Sequence, residues 1–160
     1  MERTNRNPNE YLPPLLNLIA AVVVVIISFV IEFRFPLSKG LAKPIGLLIV
    51  VAGMSLVVWS IPYLKEAFLG KLEPRLNVLV QEGSYRVVRH PVYLGMTIAL
   101  IGLTIALRSW LGFLGVFLFY LPSVIYRARL EEKALYQKFG DEWENYAART
   151  GFIIPLFRRG

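Results

Sequence analysis

Two groups of side chains in this sequence could do chemistry. The first is the stretch Gly83-Ser-Tyr-Arg-Val-Val-Arg-His-Pro-Val-Tyr-Leu-Gly95, which gathers the only histidine, two arginines and two tyrosines where a polar loop becomes apolar. Pro91 suits the first position of a helix, because its φ is already helical and its missing N–H would be unpaired there. It also pushes His90 out of the α region, onto the lip before that helix. The free amides and positive dipole end of the helix then favour an anion or carboxylate beside His90. Gly95, one turn in, leaves room for a ligand or a second backbone. The second group is Arg127, Glu131 and Glu132, at the end of another apolar run. Arg127 and Glu131 share a helical face. With arginine first, the pair does little for an isolated helix. Ionisable groups at a membrane boundary are costly to hold and are usually retained for function. From residue types alone the two groups make an interfacial pocket for a small charged ligand. The plainer alternative for Gly83 to Gly95 is an interface loop with snorkelling arginines.

The elements that must position these groups are set by composition. Of the 160 residues 56% are hydrophobic and 18% charged, and the mean hydropathy is +0.53. A soluble core of this size does not need that much apolar sequence, so the class is an integral membrane protein, all-α, in one domain. With no cysteine and one histidine, disulfides, thiolate metal sites and cysteine nucleophiles drop out, and no metal site is expected. The net charge of +7 sits beside apolar segments without interleaved aromatics, which speaks for membrane flanks and against nucleic acid. Residues 1–10 are polar and too acidic for a signal-peptide n-region, and no cleavage site follows.

Apolar segments over about 12–33, 41–63, 91–107 and 110–126 are expected to span the membrane, the last two near the lower length limit. The first reads as a lipid-facing anchor with little chemistry. Gly46 and Gly53 in the second fall on one face and permit close helix contact, within the chain or with a second copy. Pro62 ends or kinks that helix. Residues 65–90 form a long connection, a length more often functional than idle, in which Asn77-Val-Leu-Val80 reads as an extended piece across the membrane face. Arg108-Ser109 is a tight corner making a hairpin of the third and fourth spans. Residues 127–149 read as amphipathic helices, closed at Gly140 and restarted by a capping box, Asp141 with Glu144. Lysine and arginine divide fourteen against four if both termini and the middle loop are cytoplasmic, which places His90 and Glu131 on one side.

Gly83-x-Tyr85-Arg-x-Val-Arg89-His90-Pro91-x-Tyr93-x-Gly95 resembles the Arg-His-Pro signature of the isoprenylcysteine carboxyl methyltransferases and their phospholipid N-methyltransferase relatives. Glu131-Glu132-x-x-Leu135-x-x-x-Phe139-Gly140-x-x-Trp143-x-x-Tyr146, with Pro155 after it, resembles the C-terminal motif of that family. The resemblance implies a four-span bundle with a cytosol-facing pocket for S-adenosyl-L-methionine, and a lipid-like or prenylated acceptor entering from the bilayer. Carried over by position, His90, Pro91, Val92, Tyr93, Tyr85 and the run Asn77, Val78, Leu79, Val80 would contact the cofactor. Glu131 would hold one of its polar groups, Gly95 and Glu132 would line the same site, and Arg127 would be the catalytic residue at the acceptor end. Catalysis would be alignment in a dry site, since a sulfonium methyl needs little acid–base help. No glycine-rich dinucleotide fingerprint is present. The chain departs from the family at Ser84, where proline is frequent, and at Arg108-Ser109, which lacks an asparagine.

The implied reaction is carboxyl methylation of an isoprenylcysteine-type acceptor, with amine methylation of a phospholipid as the alternative. A carboxylate acceptor would use Arg127, whereas an amine would want Glu132. A nicotinamide-dependent reductase of the sterol-reductase type resembles the same two stretches. Val92 and Met96 stand where those enzymes carry polar and acidic residues. A non-enzymatic membrane scaffold would leave His90, Arg127 and Glu131 without a reason.

Overall fold

The computed structural model describes residues 12–64 and 79–155. The chain folds as an all-α integral membrane helical bundle. Its helices are α1 (Leu12–Val30), α2 (Lys39–Leu64), α3 (Pro91–Ala106), α4 (Trp110–Phe139) and α5 (Asp141–Ala147), with a 3₁₀ turn at Gly83–Arg86. Among the described residues three helices, α1, α2 and α4, are long and apolar enough to cross a membrane, and α3 is a shorter apolar helix. Large apolar side chains point outward along α1 and α2, among them Leu18, Phe29, Leu48 and Val58, each more than half exposed. In water these would be a liability; in a bilayer they are the solvent-facing side.

Glycines set the closest packing. A Cβ on Gly53 would stand 2.5 Å from the carbonyl oxygen of Gly95, and one on Gly95 would stand 2.6 Å from that of Gly53. Gly102 and Gly46 repeat the arrangement two turns away. The backbones of α2 and α3 therefore touch along a small-residue seam. The Gly46–Gly53 face is used inside the chain, the first of the two contacts its sequence allows. It equally accounts for Gly95, whose missing side chain is filled by α2 rather than by a ligand.

The first helix is not a bare anchor. Val24 and Ser28 are fully buried, and Pro13 and Asn17 lie on the same side. This face meets α4: Ser28 packs on Gly112 and Val24 on Gly115. Val24 also joins Val116, Tyr120, Val124 and Leu100 in the core. Residues 116–120 of α4 form a π turn, with the Leu121 amide bonded to the Val116 carbonyl. Pro122, which has no N–H to offer the preceding turn, gives a local cause for the widening.

The two ends of the bundle are closed differently. At one end Arg108, with φ +59°, turns α3 into α4. Asparagine tolerates that left-handed geometry better than arginine does. Arg108 instead donates through Nη2 to the Phe35 carbonyl at 3.0 Å, while the Ser109 hydroxyl caps α4 by accepting from Gly112 N. At the other end α4 runs unbroken past residue 126, so the polar C-terminal helix is a continuation of the last apolar one. Gly140 (φ +50°) stops it by donating to the Tyr136 carbonyl. The next helix starts at Asp141 with Gly140 as its N-cap and no side-chain cap, so no Asp141–Glu144 capping box forms.

Candidate active site

His90 stands immediately before α3, at φ −124° and ψ +60°, and Pro91 is the first helical residue. The lip that carries it is tied to the C-terminal segment by backbone pairing. Arg89 N donates to the Gly151 carbonyl at 2.8 Å, His90 N to that of Phe152 at 3.2 Å, and Gly151 N to that of Val87 at 3.3 Å. Arg89 completes the joint. Its Nε donates to Glu132 Oε1 at 2.7 Å, and its Nη1 to the carbonyls of Ala147 at 2.8 Å and Thr150 at 2.6 Å. Both ends of this ion pair are 13% exposed. The guanidinium also lies over the rings of Trp143 and Phe152. Two stretches about sixty residues apart thus become one rim.

Ser84 has its own reason here. Its buried hydroxyl donates to that of Ser60 on α2 at 2.9 Å, a bond that proline could not make. Gly83, at φ +57°, lies against the ring of Tyr63, so the 3₁₀ turn rests on the end of α2. Tyr85 is buried next to it, and its carbonyl accepts from the Tyr146 hydroxyl at 2.7 Å. Burial raises both phenols above their usual range, that of Tyr146 to about 12; both stay neutral in any ordinary medium.

The carboxylates are not equivalent. Glu131 Oε1 accepts from the Tyr93 hydroxyl at 2.5 Å and from Arg127 Nε at 2.9 Å, and Arg127 lies over the Tyr93 ring. The nitrogens at the outer edge of Arg127 make no hydrogen bond among the described residues. Glu132, in the part of α4 beyond the apolar run, is engaged by Arg89. Burial would raise its pKa, but Arg89 and the nearby His90 outweigh this, and its carboxyl is held below the usual range.

His90 is 6% exposed and stands between the two carboxylates, Nδ1 3.8 Å from Glu131 and Nε2 3.4 Å from Glu132. Its ring stacks on Tyr93 and meets Phe152 edge-on. Among the described residues Nε2 makes no hydrogen bond, although it is buried 3.4 Å from the Glu132 carboxylate, so its polar edge can still take a partner.

The structure brings together Tyr85, His90, Pro91, Val92, Tyr93, Arg127, Glu131 and Glu132. Val92 and Tyr93 open α3, where amides have no intrahelical acceptor. The Leu79 side chain is packed with Trp143 and Tyr146, against Leu135 and Phe139, and Val80 beside it is half-buried. Asn77 and Val78 lie outside the described residues. Gly95 belongs to the helix seam. Residues that the sequence reading missed are Arg89, whose weight shows only once Glu132 and residues 147–151 surround it, and Tyr120. The latter looks like any apolar-segment aromatic in sequence, yet it is buried in the core cluster against which Tyr93 packs.

Comparison with known proteins places this arrangement. A family model described as phospholipid methyltransferase matches residues 41–142, well over half of the chain and most of the site. A protein-S-isoprenylcysteine O-methyltransferase of Saccharomyces cerevisiae is 30% identical over 128 residues, covering 78% of this chain and 53% of that one. Its counterpart in Schizosaccharomyces pombe is 34% identical over 80 residues, 50% of this chain and 34% of that one. A methanethiol S-methyltransferase of Pseudomonas deceptionensis is 35% identical over 81 residues, 47% of this chain and 28% of that one. The chain thus spans about half the length, or less, of these relatives.

Proposed function

The chain belongs to the phospholipid methyltransferase family, and from that premise we propose that it is an integral membrane methyltransferase that uses S-adenosylmethionine and methylates the carboxylate of an isoprenylcysteine-type acceptor. The observation that carries this reading is the buried His90 between two carboxylates at the start of α3, its Nε2 without a hydrogen bond among the described residues. A ligand with a carboxylate, an amine and hydroxyls fits such a place: the α3 amides suit the carboxylate, and Glu131 suits an amine or hydroxyl. His90 and Tyr93 supply ring faces and a polar edge. When bound, the cofactor supplies an electrophilic methyl on a sulfonium.

The protein's own part is binding, orientation and exclusion of water. Arg89 and the 87–152 pairing hold the rim, so that His90 and Tyr93 keep one geometry. Glu131 holds Arg127 by Nε alone, which turns the remaining guanidinium edge toward an acceptor. That edge matches a carboxylate in bidentate fashion. An amine acceptor would need a free acid, and Glu132 is already engaged by Arg89, so the geometry favours the carboxylate. A thiol acceptor, as the name of the bacterial relative suggests for that protein, would leave the Arg127 edge unused.

The lipid-facing exteriors of α1, α2 and α4 fit entry of the acceptor from the bilayer. The charge asymmetry of the loops supports four spans with both termini and the site on the cytoplasmic side, in the inner membrane of a prokaryote or the endoplasmic reticulum of a eukaryote. Calorimetric titration of the detergent-purified protein with S-adenosylhomocysteine, with NADPH in parallel, tests the cofactor. The expected result is binding of the first alone, lost in His90→Ala; binding of NADPH alone would replace this reading by a reductase.

A further inference from the structure

The C-terminal segment roofs the site. His90 beneath it is 6% exposed. Phe152 meets the imidazole edge-on, and the carbonyls of Ala147 and Thr150 accept from Arg89 beside it. The part over Arg89 and Glu132 is residues 141–150, which run from a loose joint to a firm anchor. The joint is Gly140, at φ +50°, where an added Cβ would meet nothing within 4 Å and the helix that follows has no side-chain cap. The anchor is the backbone pairing of Gly151 and Phe152 with the lip, followed by Ile153, buried in the core with Val24, Leu100 and Tyr120. Between joint and anchor the fastenings to residues 79–90 are mostly polar. The Tyr146 hydroxyl donates to the Tyr85 carbonyl at 2.7 Å. On the outer side Gln81 donates to Glu142 at 3.1 Å and accepts from Arg149 at 3.0 Å. The apolar fastening is Trp143 and Tyr146 against Leu79.

We propose that residues 141–150 are a strap, hinged at Gly140 and held at Gly151–Ile153, that lifts from residues 79–90 to let the methyl donor in and its demethylated product out. The strap rests on the methyltransferase reading and gives that site its gate. A donor with an amino-acid zwitterion and hydroxyls does not pass the apolar exteriors of α1, α2 and α4. It comes from water, where the strap lies across Arg89 and Glu132. Polar fastenings suit a moving part, because water replaces each one as it opens and the net loss is small. The Arg89–Glu132 pair is not among the bonds that must break. Arg89 exchanges only its two carbonyls for water, so neither charge is left unpaired inside. Opening of such an element often sets the pace of product release.

The test ties the strap down. The chain has no cysteine, so Gln81→Cys with Glu142→Cys supplies the only two thiols, at an exposed contact. A short bis-methanethiosulfonate linker joins them and a reductant frees them. Joined while empty, the detergent-purified protein should take up radiolabelled S-adenosylhomocysteine about tenfold more slowly, or slower still, than after reduction. Joined while loaded, it should release the ligand more slowly by a similar factor. Arg89→Ala should speed uptake as well as release, whereas a merely weakened site would speed release alone. Uptake and release that ignore the linker would overturn the strap. If the double variant does not fold or does not join, Thr150→Cys carries the test. Thr150 is 3% exposed, so a water-soluble maleimide reaches a thiol there when the strap is up. Saturating S-adenosylhomocysteine should slow that labelling and leave the labelling of Ser60→Cys, equally buried on α2, as it was. Protection of both thiols, or of neither, would overturn the strap. Wild type that does not bind S-adenosylhomocysteine refutes the methyltransferase reading. Wild type that binds it, with free exchange in the joined protein, overturns only the strap.

Discussion

Replacing Arg89 by alanine should loosen the rim without touching any membrane helix. The side chain makes three charge-assisted bonds, to Glu132, the Ala147 carbonyl and the Thr150 carbonyl, all between 2.6 and 2.8 Å. Removing one partner of a buried ion pair costs about 3–5 kcal/mol, because the other charge stays behind unpaired. Some of this returns here, since Glu132 keeps His90 and the exposed Arg129 nearby, and about 3 kcal/mol is the expected net. For a chain of this size that is a fall of about 6–12 °C in melting temperature. Intrinsic fluorescence in detergent is a suitable monitor, since Trp143 lies beneath the guanidinium. Arg89→Lys should recover less than half, because a single ammonium cannot reach three acceptors arranged for a planar fork. A pH series adds a sign. The Glu132 carboxyl is held below its usual value, so its contribution is complete above the ordinary carboxylate range and is lost as the pH falls through the lowered value. Wild type should lose stability over that acid window, and Arg89→Ala should lose less of it. A variant that melts within about 2 °C of wild type at neutral pH, with the same acid response, would refute the joint as the element that holds the rim.

Three further outcomes follow from the geometry. Gly53→Ala should lower the melting temperature by several degrees, because its Cβ meets the Gly95 carbonyl at 2.5 Å, whereas Gly40→Ala, which meets nothing within 4 Å, should not. Glu131→Gln should weaken S-adenosylhomocysteine binding at least tenfold by calorimetry, since Tyr93 and Arg127 both depend on its charge, while leaving a cooperative melt. Arg108→Ala should destabilise by about 2 kcal/mol in detergent unfolding, keeping the left-handed strain while losing the bond to Phe35. Arg108→Gly should do so by less.

The helices and the two motifs were legible because their signals are local: apolar runs, a proline at a helix start, glycines seven apart. Glycines at 46 and 53 announce close contact, but not the partner, and only the seam with Gly95 and Gly102 settles it. The π turn leaves almost no sequence mark beyond Pro122. Asn17 passed unread because one amide among aliphatics changes hydropathy little, and the direction it faces depends on α4. Arg89 reads as one more basic flank until residues 147–152 fold over it. Ser84 looks like a departure from the family pattern, and the hydroxyl of Ser60 makes sense of it.

The pairing of residues 87–90 with 151–152 also dictates an order of events. Segments are made from the N-terminus onward, so Arg89 and His90 emerge long before Gly151 and Phe152, with Glu131 and Glu132 between. Until Gly151 and Phe152 arrive, the backbone of the lip has no pairing partner and Arg89 lacks the Ala147 and Thr150 carbonyls, so it must stay hydrated at the bilayer surface. The helical frame can therefore insert and pack around its glycine seam while the reactive rim is still open. A chain stopped short of residue 151 would be expected to sit in the membrane with this rim unpaired, so that closure of the site reports on synthesis past Phe152.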